Sequence, residues 1–357
     1  MMNFTTITVY PTTICPYSSQ VYAGLFDLQA ARCASVKISL ATPTIPVSGH
    51  GVLYIEAERE GVRRRIMFDL VDTWKVSFPD LAENIDMVAK RTYIPGRLNE
   101  FSPELIEKVV PYGINYNCVS ANSPNLRLFL SHQFSELKRH PRLHLFKNNL
   151  MRYNTRFLLS SVRNSYTLEE SSYRNDIPEP RNGILFITRL FPNSNTNTGL
   201  AGFSLERIEL VRKLKERFGS DFLGGVEDDE IGRKHCPPDL LFSRIPRDRY
   251  IQLLKSSQIT MVTVGANRSN PWKLGEALAT SGCILSGELE TDLPVQLRDG
   301  IEYLVFSTPD QCVQMCEYLM QNPAEAKRHQ RAAQAYYDQN VKADMLIASV
   351  LDRAFKM

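Results

Sequence analysis

Lys273 and Glu276 are the pair whose types and spacing could do chemistry most directly. They lie in the stretch Asn267-Arg268-Ser269-Asn270-Pro271-Trp272-Lys273-Leu274-Gly275-Glu276-Ala277-Leu278-Ala279-Thr280-Ser281-Gly282-Cys283-Ile284-Leu285. This stretch follows an apolar strand pattern, crosses a polar turn, opens a helix and ends in a second strand. Three residues apart, the two side chains share one helical face near its start. Backbone N–H groups at a helix N-terminus favour anions. A lysine there can add charge against a diphosphate, and a glutamate can accept hydrogen bonds from ribose hydroxyls. Ala277, Ala279 and Gly282 are small enough for helix and strand to pack closely. The same residues also fit an exposed helical face with a capping acid, so spacing alone leaves both readings open.

The elements that must position this pair are read from apolar periodicity. In the second half Ile184–Thr188, Phe222–Val226, Ile259–Val264, 282–285 and 303–306 read as strands. Leu205–Phe218, Asp248–Ser256, Trp272–Ser281 and Pro309–Gln321 read as the helices between and after them. Strands alternating with helices of ten to fifteen residues predict parallel βαβ units and a doubly wound sheet. Ligands in such sheets sit beyond the carboxyl ends of the strands, which directs attention to the residues after Ile187, Val226, Val264 and Leu285. The polar, proline-containing stretch Leu168–Asn182 is the linker, dividing the chain into residues 1–175 and 176–357. The first part reads as a helix over Tyr17–Arg32, a strand over Ala34–Leu40 and a hairpin turning at Glu60-Gly61. A short helix is expected over Pro79–Arg91, and a further helix capped by Ser102-Pro103. Asn122–Thr167 is mostly helical by pattern.

With 357 residues the chain exceeds the size at which one core usually stops growing, so two domains are expected. A hydrophobic fraction of 43% and a charged fraction of 23% are those of a globular protein rather than a disordered one. The net charge of +3 is too small to point to a nucleic-acid partner. The run Arg63-Arg64-Arg65 fits a solvated strand end or a contact with an anionic lipid surface or acidic acceptor. No run of about 18 apolar residues could span a bilayer. The N-terminus lacks a basic region followed by an apolar one, so no signal peptide is expected. The seven cysteines show no C-x-x-C spacing, which suits a reducing, cytoplasmic setting.

The segment around Glu276 resembles the donor site of glycosyltransferases with the GT-B fold, in the group that builds bacterial polysaccharides and cell surfaces. The resemblance extends to Leu293-Pro294, Asp299-Gly300-Ile301-Glu302-Tyr303 and Val305-Phe306 downstream, and to Arg249–Ile259 upstream. It covers the chain from about Asn182 onward. It implies two Rossmann-like, doubly wound α/β domains facing each other across a cleft, with the final helix crossing back to the first domain. A nucleotide-diphosphate sugar would lie in that cleft with Glu276 on its ribose. Ile187-Thr188-Arg189-Leu190 is similar to the Gly-Arg-Leu that ends the first donor-domain strand in this fold, which implies that Arg189 approaches the donor phosphates. Asn267, Arg268 and Lys273 complete the implied donor set. Arg268 stands where retaining members often carry a second acid, so the stereochemical outcome stays open.

The resemblance implies transfer of a sugar to an acceptor hydroxyl on a glycan, a lipid-linked molecule or a protein. A lipid-linked acceptor would bring the chain to the inner face of the membrane. A general base would come from the first domain, where Asp69, Asp86 and His50 are the candidates and Asp72 follows the same strand as Asp69. No metal and no cofactor are expected: Asp228-Asp229-Glu230 resembles an acidic metal motif of a different fold and reads here as a turn. Two rival functions fit the same architecture, a non-catalytic nucleotide- or sugar-binding protein and a nucleotide-sugar epimerase. On the ribose reading, Glu276→Ala weakens nucleotide binding at little cost in stability.

Overall fold

A computed structural model describes residues 5–41, 43, 51–139, 168–179, 181–193, 195–196 and 200–357. Candidate His50 and the last part of the helical stretch expected up to Thr167 lie outside these residues.

The first half is built on β1 (Thr5–Tyr10), α1 (Ser19–Ala30), β2 (Ala34–Ile38), β3 (Val52–Arg59), β4 (Val62–Asp69), β5 (Met87–Lys90), α2 (Pro103–Lys108) and β6 (Val109–Pro111). Its sheet runs β2-β1-β3-β4-β5-β6. Strand β3 is antiparallel to both neighbours, and the remaining pairs are parallel. The reversal comes from the hairpin expected at Glu60-Gly61. Arg59 pairs with Val62, and the two turn residues both take positive φ, 54° and 79°, the twist a two-residue hairpin loop requires. Ser102 caps α2 by accepting from the Leu105 N–H at 3.4 Å, as its position before Pro103 predicts.

The helix expected over Pro79–Arg91 is not there. Pro79–Asn84 forms only a short 3-10 turn, and Met87–Lys90 is a strand buried at every position. A run of three apolar residues ending in a lysine cannot be told from a helix segment by periodicity. The basic run is ion-paired across the hairpin and beyond: Arg63 lies 3.5 Å from Glu58, and Arg65 lies 2.9 Å from Asp86.

A two-stranded parallel ladder, β7 (Cys118–Val119) with β8 (Leu168–Glu169), follows the first sheet. Helix α3 (Asn125–Arg139) lies between them in sequence, and α4 (Glu170–Arg174) follows. The expected linker therefore begins with a strand and a helical turn.

The second half contains β9 (Ile184–Thr188), α5 (Gly202–Phe218), β10 (Phe222–Glu227), α6 (Glu230–His235), β11 (Leu241–Phe242), α7 (Arg247–Ser256), β12 (Ile259–Val262), α8 (Trp272–Ala279), β13 (Cys283–Ser286) and β14 (Leu304–Val305). Helices α9 (Pro309–Gln321), α10 (Pro323–Asn340) and α11 (Ala343–Ala354) close the chain. Every strand pair is parallel, in the order β11-β10-β9-β12-β13-β14. Counted from its own first strand this is the order 3-2-1-4-5-6, the Rossmann arrangement. Its topological switch point lies between β9 and β12. Asp229 caps α6 by accepting from the Gly232 N–H at 2.8 Å, and Asp228 pairs with Arg233 at 2.6 Å.

Helix α11 packs in the core of the first half. Leu346, Ile347, Val350 and Leu351 join Val21, Leu25 and Phe68 in one buried cluster. Gly24 makes this contact possible, since a Cβ there would lie 2.2 Å from the Ala343 carbonyl oxygen. A second buried cluster, with Ile114 and Tyr116 of the first half against Leu274, Ala277 and Leu278 of α8, joins the two halves. Glu170 fastens the junction by accepting from Tyr116 OH at 2.9 Å, Tyr337 OH at 2.7 Å and the Ala343 N–H at 2.9 Å. Among the described residues no helix is long and apolar enough to cross a membrane.

Candidate functional site

At the switch point the chain leaves β9 and β12 in opposite directions and opens a crevice beyond their carboxyl ends. A cavity of about 380 Å³ occupies it. Thr188 at the end of β9 and Arg189 after it, Thr263 and Gly265 after β12, and Lys273 and Glu276 on α8 form one wall. Tyr17, Asp72 and Arg91 of the first half form the other. Five cationic side chains line the space (Arg91, Arg189, Arg207, Arg247 and Lys273) against two carboxylates (Asp72 and Glu276). Such an excess in a confined, partly desolvated space favours a polyanion.

Helix α8 is aimed at this cavity by its packing. Gly275 lets it settle on Tyr116, since a Cβ at that position would stand 2.7 Å from the Tyr116 Cβ. Trp272 packs edge-on against Tyr17 with ring centres 4.9 Å apart, and its indole N–H donates to Asn115 Oδ1 at 3.1 Å. No side chain caps the helix N-terminus, so its first N–H groups are available to an anion.

Lys273 donates to the Ile187 carbonyl at the end of β9. Burial pushes its amine down to about 8, against an upward pull from Glu276. Glu276 is 1% exposed, and one carboxylate oxygen is paired with Arg247 at the start of α7. Arg247 also donates to Tyr173 OH at 3.0 Å. Burial alone would lower the Arg247 pKa, but the Glu276 charge and Tyr173 outweigh it and the net shift is upward. The second oxygen of Glu276, Oε2, is buried and has no hydrogen-bond partner among the described residues. A buried carboxylate oxygen without a donor is costly unless a ligand supplies one.

Arg207 on α5 is 4% exposed and donates to the Arg189 carbonyl at 2.6 Å and to the Val264 carbonyl. It thereby ties the ends of β9 and β12 together across the switch point. Burial, reinforced by the neighbouring Arg189, brings its guanidinium down to about 10.

The expected donor set divides. Lys273, Glu276 and Arg189 line the cavity. Arg189 is mostly exposed there, 3.6 Å from Glu227. Asn267 and Arg268 do not line it. Both are held at positive φ in the turn before α8. Asn267 Nδ2 donates to the Asp72 carbonyl at 2.8 Å, and Arg268 turns outward to pair with Glu290. Asn267 thereby joins the turn to the first half, and Arg268 is held on the outside of it.

The expected bases also move away. Asp69 is fully buried, 3.0 Å from the equally buried Lys90, and accepts from the Ser77 N–H at 2.7 Å. No acceptor hydroxyl can reach it. Asp86 precedes β5, at the opposite end of that strand from the cleft residue Arg91, and is held by Arg65. Asp72, named alongside Asp69, is the first-half carboxylate that does line the cavity.

Sequence reasoning did not single out Arg91, Arg207 or Arg247. Arg207 falls on the expected helix Leu205–Phe218, whose charges face away from its apolar stripe, Arg247 lies just before the helix expected over Asp248–Ser256, and Arg91 ends the segment read as a helix. A second chamber of about 320 Å³ adjoins the first and shares Ile187, Arg247, Trp272 and Lys273 with it. Phe242, Ile245 and Tyr250 line its far side, with Glu227 at the mouth of β10.

Residues 207–352 match the family model described as glycosyl transferase-like. Among solved structures, similarity extends to a glycosyltransferase from Rickettsia africae at 13% identity, covering 82% of this chain and 70% of that one with a TM-score of 0.42. A putative UDP-N-acetylglucosamine 2-epimerase from Listeria monocytogenes is similar at 11% identity over 96% and 94% of the two chains, with a TM-score of 0.39. TarM is similar at 10% identity, with a TM-score of 0.37 over 50% of this chain. This chain spans 37% of TarM and 45% of a sucrose-phosphate synthase from Thermosynechococcus elongatus. No curated protein matches the sequence.

Proposed function

We propose that this chain, a glycosyl transferase-like protein with two Rossmann-like domains of GT-B build, moves a sugar from a nucleotide-diphosphate donor to an acceptor hydroxyl. The observation that carries the reading is the cavity at the Rossmann switch point, with five cations against two carboxylates and one unpartnered carboxylate oxygen. A diphosphate fits the cations and the uncapped start of α8. The ribose hydroxyls fit Glu276 Oε2, and the base fits the adjoining chamber between Phe242, Ile245, Tyr250 and Trp272. Preorganised charge of this kind stabilises a leaving diphosphate without a metal ion. Lys273 supplies it from the second half and Arg189 from the rim.

The acceptor then enters from the 1–175 side, where Asp72 is the carboxylate facing the cavity and serves as the base. Tyr17 and Trp272 exclude water from the reacting centre. All seven cysteines are free, which supports a cytoplasmic setting. A lipid-linked acceptor would draw the chain to the inner membrane face, in cell-surface polysaccharide synthesis.

Thermal melting against a panel of nucleoside diphosphates tests the reading. At about 100 times its Kd, a matching ligand adds about 2.7 kcal/mol of apparent stability. The panel is expected to single out one base. Uniform melting across all of them overturns the donor assignment. Release of nucleoside diphosphate from the matching sugar nucleotide, with a new glycosidic bond, separates transfer from mere binding and from epimerisation.

A further inference from the structure

Arg91 lies just past β5, in the first half of the chain, yet its guanidinium belongs to the second half's cavity. It is 3% exposed and lines the same space as Lys273. Its Nη2 donates to the Asn270 carbonyl at 3.0 Å, in the turn that leads into α8. Its plane is flanked by the rings of Tyr17 at 5.3 Å and Trp272 at 6.0 Å. The facing carboxylate, Asp72, stands 3.9 Å away, too far for a hydrogen bond, and the Nε of Arg91 has no partner among the described residues. The charge is therefore buried and held in place, but poorly compensated. Burial lowers its pKa, and Asp72 restores only part of that.

A buried cation in this state is completed by an anion. The anion site beside it is the uncapped start of α8, where the unpartnered Glu276 oxygen lines the same cavity. We propose that Arg91 is a binding residue for the diphosphate of the donor, supplied by the acceptor half, so that the donor site is complete only when both halves close on it. The proposal rests on the donor reading above and adds to it a dependence on the first half. A guanidinium suits the role because it offers several donors in a fixed plane. With Nη2 held by the Asn270 carbonyl and Nη1 by a long 3.5 Å bond to the Leu70 carbonyl, Nε remains to meet a phosphate oxygen. Asp72 acts as the placeholder that the phosphate outcompetes.

Calorimetric titration of the full chain with the matching nucleoside diphosphate, its nucleoside and inorganic pyrophosphate tests this. Arg91→Gln is expected to weaken the diphosphate at least tenfold while leaving the nucleoside within twofold, and Arg91→Lys to fall between. Asp72→Asn, which frees Arg91, is expected to tighten the diphosphate in the wild-type background but not beside Arg91→Gln. A structural role for Arg91 would not produce that sign or that coupling. Diphosphate affinity within twofold of wild type in Arg91→Gln overturns the proposal. If Arg91→Gln fails to fold, an Asp72→Asn variant that binds no tighter overturns it equally. Pyrophosphate binding that depends on Arg91, with no nucleoside diphosphate bound by wild type, sinks the donor reading and this proposal with it, leaving a bare pyrophosphate site. Binding of neither probe to wild type sinks both.

Discussion

Glu276→Ala separates two readings of the same carboxylate. Sequence spacing makes Glu276 a ribose ligand on an accessible face, and its loss should then be silent in the free protein. The structure instead buries it to 1% against an Arg247 side chain that is 19% exposed. Removing it leaves the guanidinium with Tyr173 OH as its remaining acceptor and with Lys273 as a neighbouring cation. Breaking a buried ion pair on one side costs about 3–5 kcal/mol, because the surviving charge stays desolvated. At about 2–4 °C per kcal/mol for a unit of this size, the apparent Tm should fall by roughly 6–20 °C. The companion variant Arg247→Met with Glu276→Leu removes both charges and is expected to melt near or above wild type, while showing no stabilisation by any nucleoside diphosphate. Differential scanning calorimetry of both variants, with and without ligand, reads each arm. An unchanged Tm for Glu276→Ala would show that the pair does not form. A double variant that still responds to nucleotide would show that the carboxylate never touches the ligand.

Lys273 sets a pH dependence. Its amine is lowered to about 8 in the folded chain from an ordinary 10.5, so between those values the unfolded chain holds a proton that the native one has shed. Stability from this group therefore rises with pH across that window, and the burial penalty is fully present below it. Binding of a diphosphate has the opposite slope, since it needs the ammonium form: affinity should fall as pH passes about 8, by up to about tenfold per pH unit. Titration calorimetry in buffers of different ionisation heat should find proton uptake on binding near that pH, and affinity flat from neutral to alkaline pH would refute it. Asp69→Asn should cost about 3–5 kcal/mol in urea unfolding, because it strands the buried Lys90. It should leave nucleoside diphosphate affinity at the wild-type value. Loss of transfer without loss of stability would return Asp69 to the reaction.

The second half was legible because four of its six strands, β9, β10, β12 and β13, are mostly apolar runs of four to six residues separated by helices with one apolar stripe, patterns a parallel sheet imposes, whereas the two-residue β11 went unread. The first half was less so. Strand β5 is four residues long and ends in a buried lysine, which breaks the apolar signal where it is shortest. Among the site residues, Lys273 and Glu276 were legible because both sit on one helix, where spacing fixes which face they share. Arg91 was not, since its partner Asn270 is 179 residues away. Nor was the pairing of Arg247 with Glu276, 29 residues apart. Arg207 was hidden differently: it belongs to an amphipathic helix whose other charges are solvated, and periodicity does not say which charge on such a helix turns inward. Asp69 was misread in the converse way, because a carboxylate at a strand end fits a catalytic base and a buried ion pair equally until Lys90 is placed beside it. Periodicity records how much of a residue is buried, whereas catalysis depends on which charges are buried together. The latter is a property of tertiary contact, so the elements of this cleft could be read along the chain while the cations that fill it could be found only by folding it.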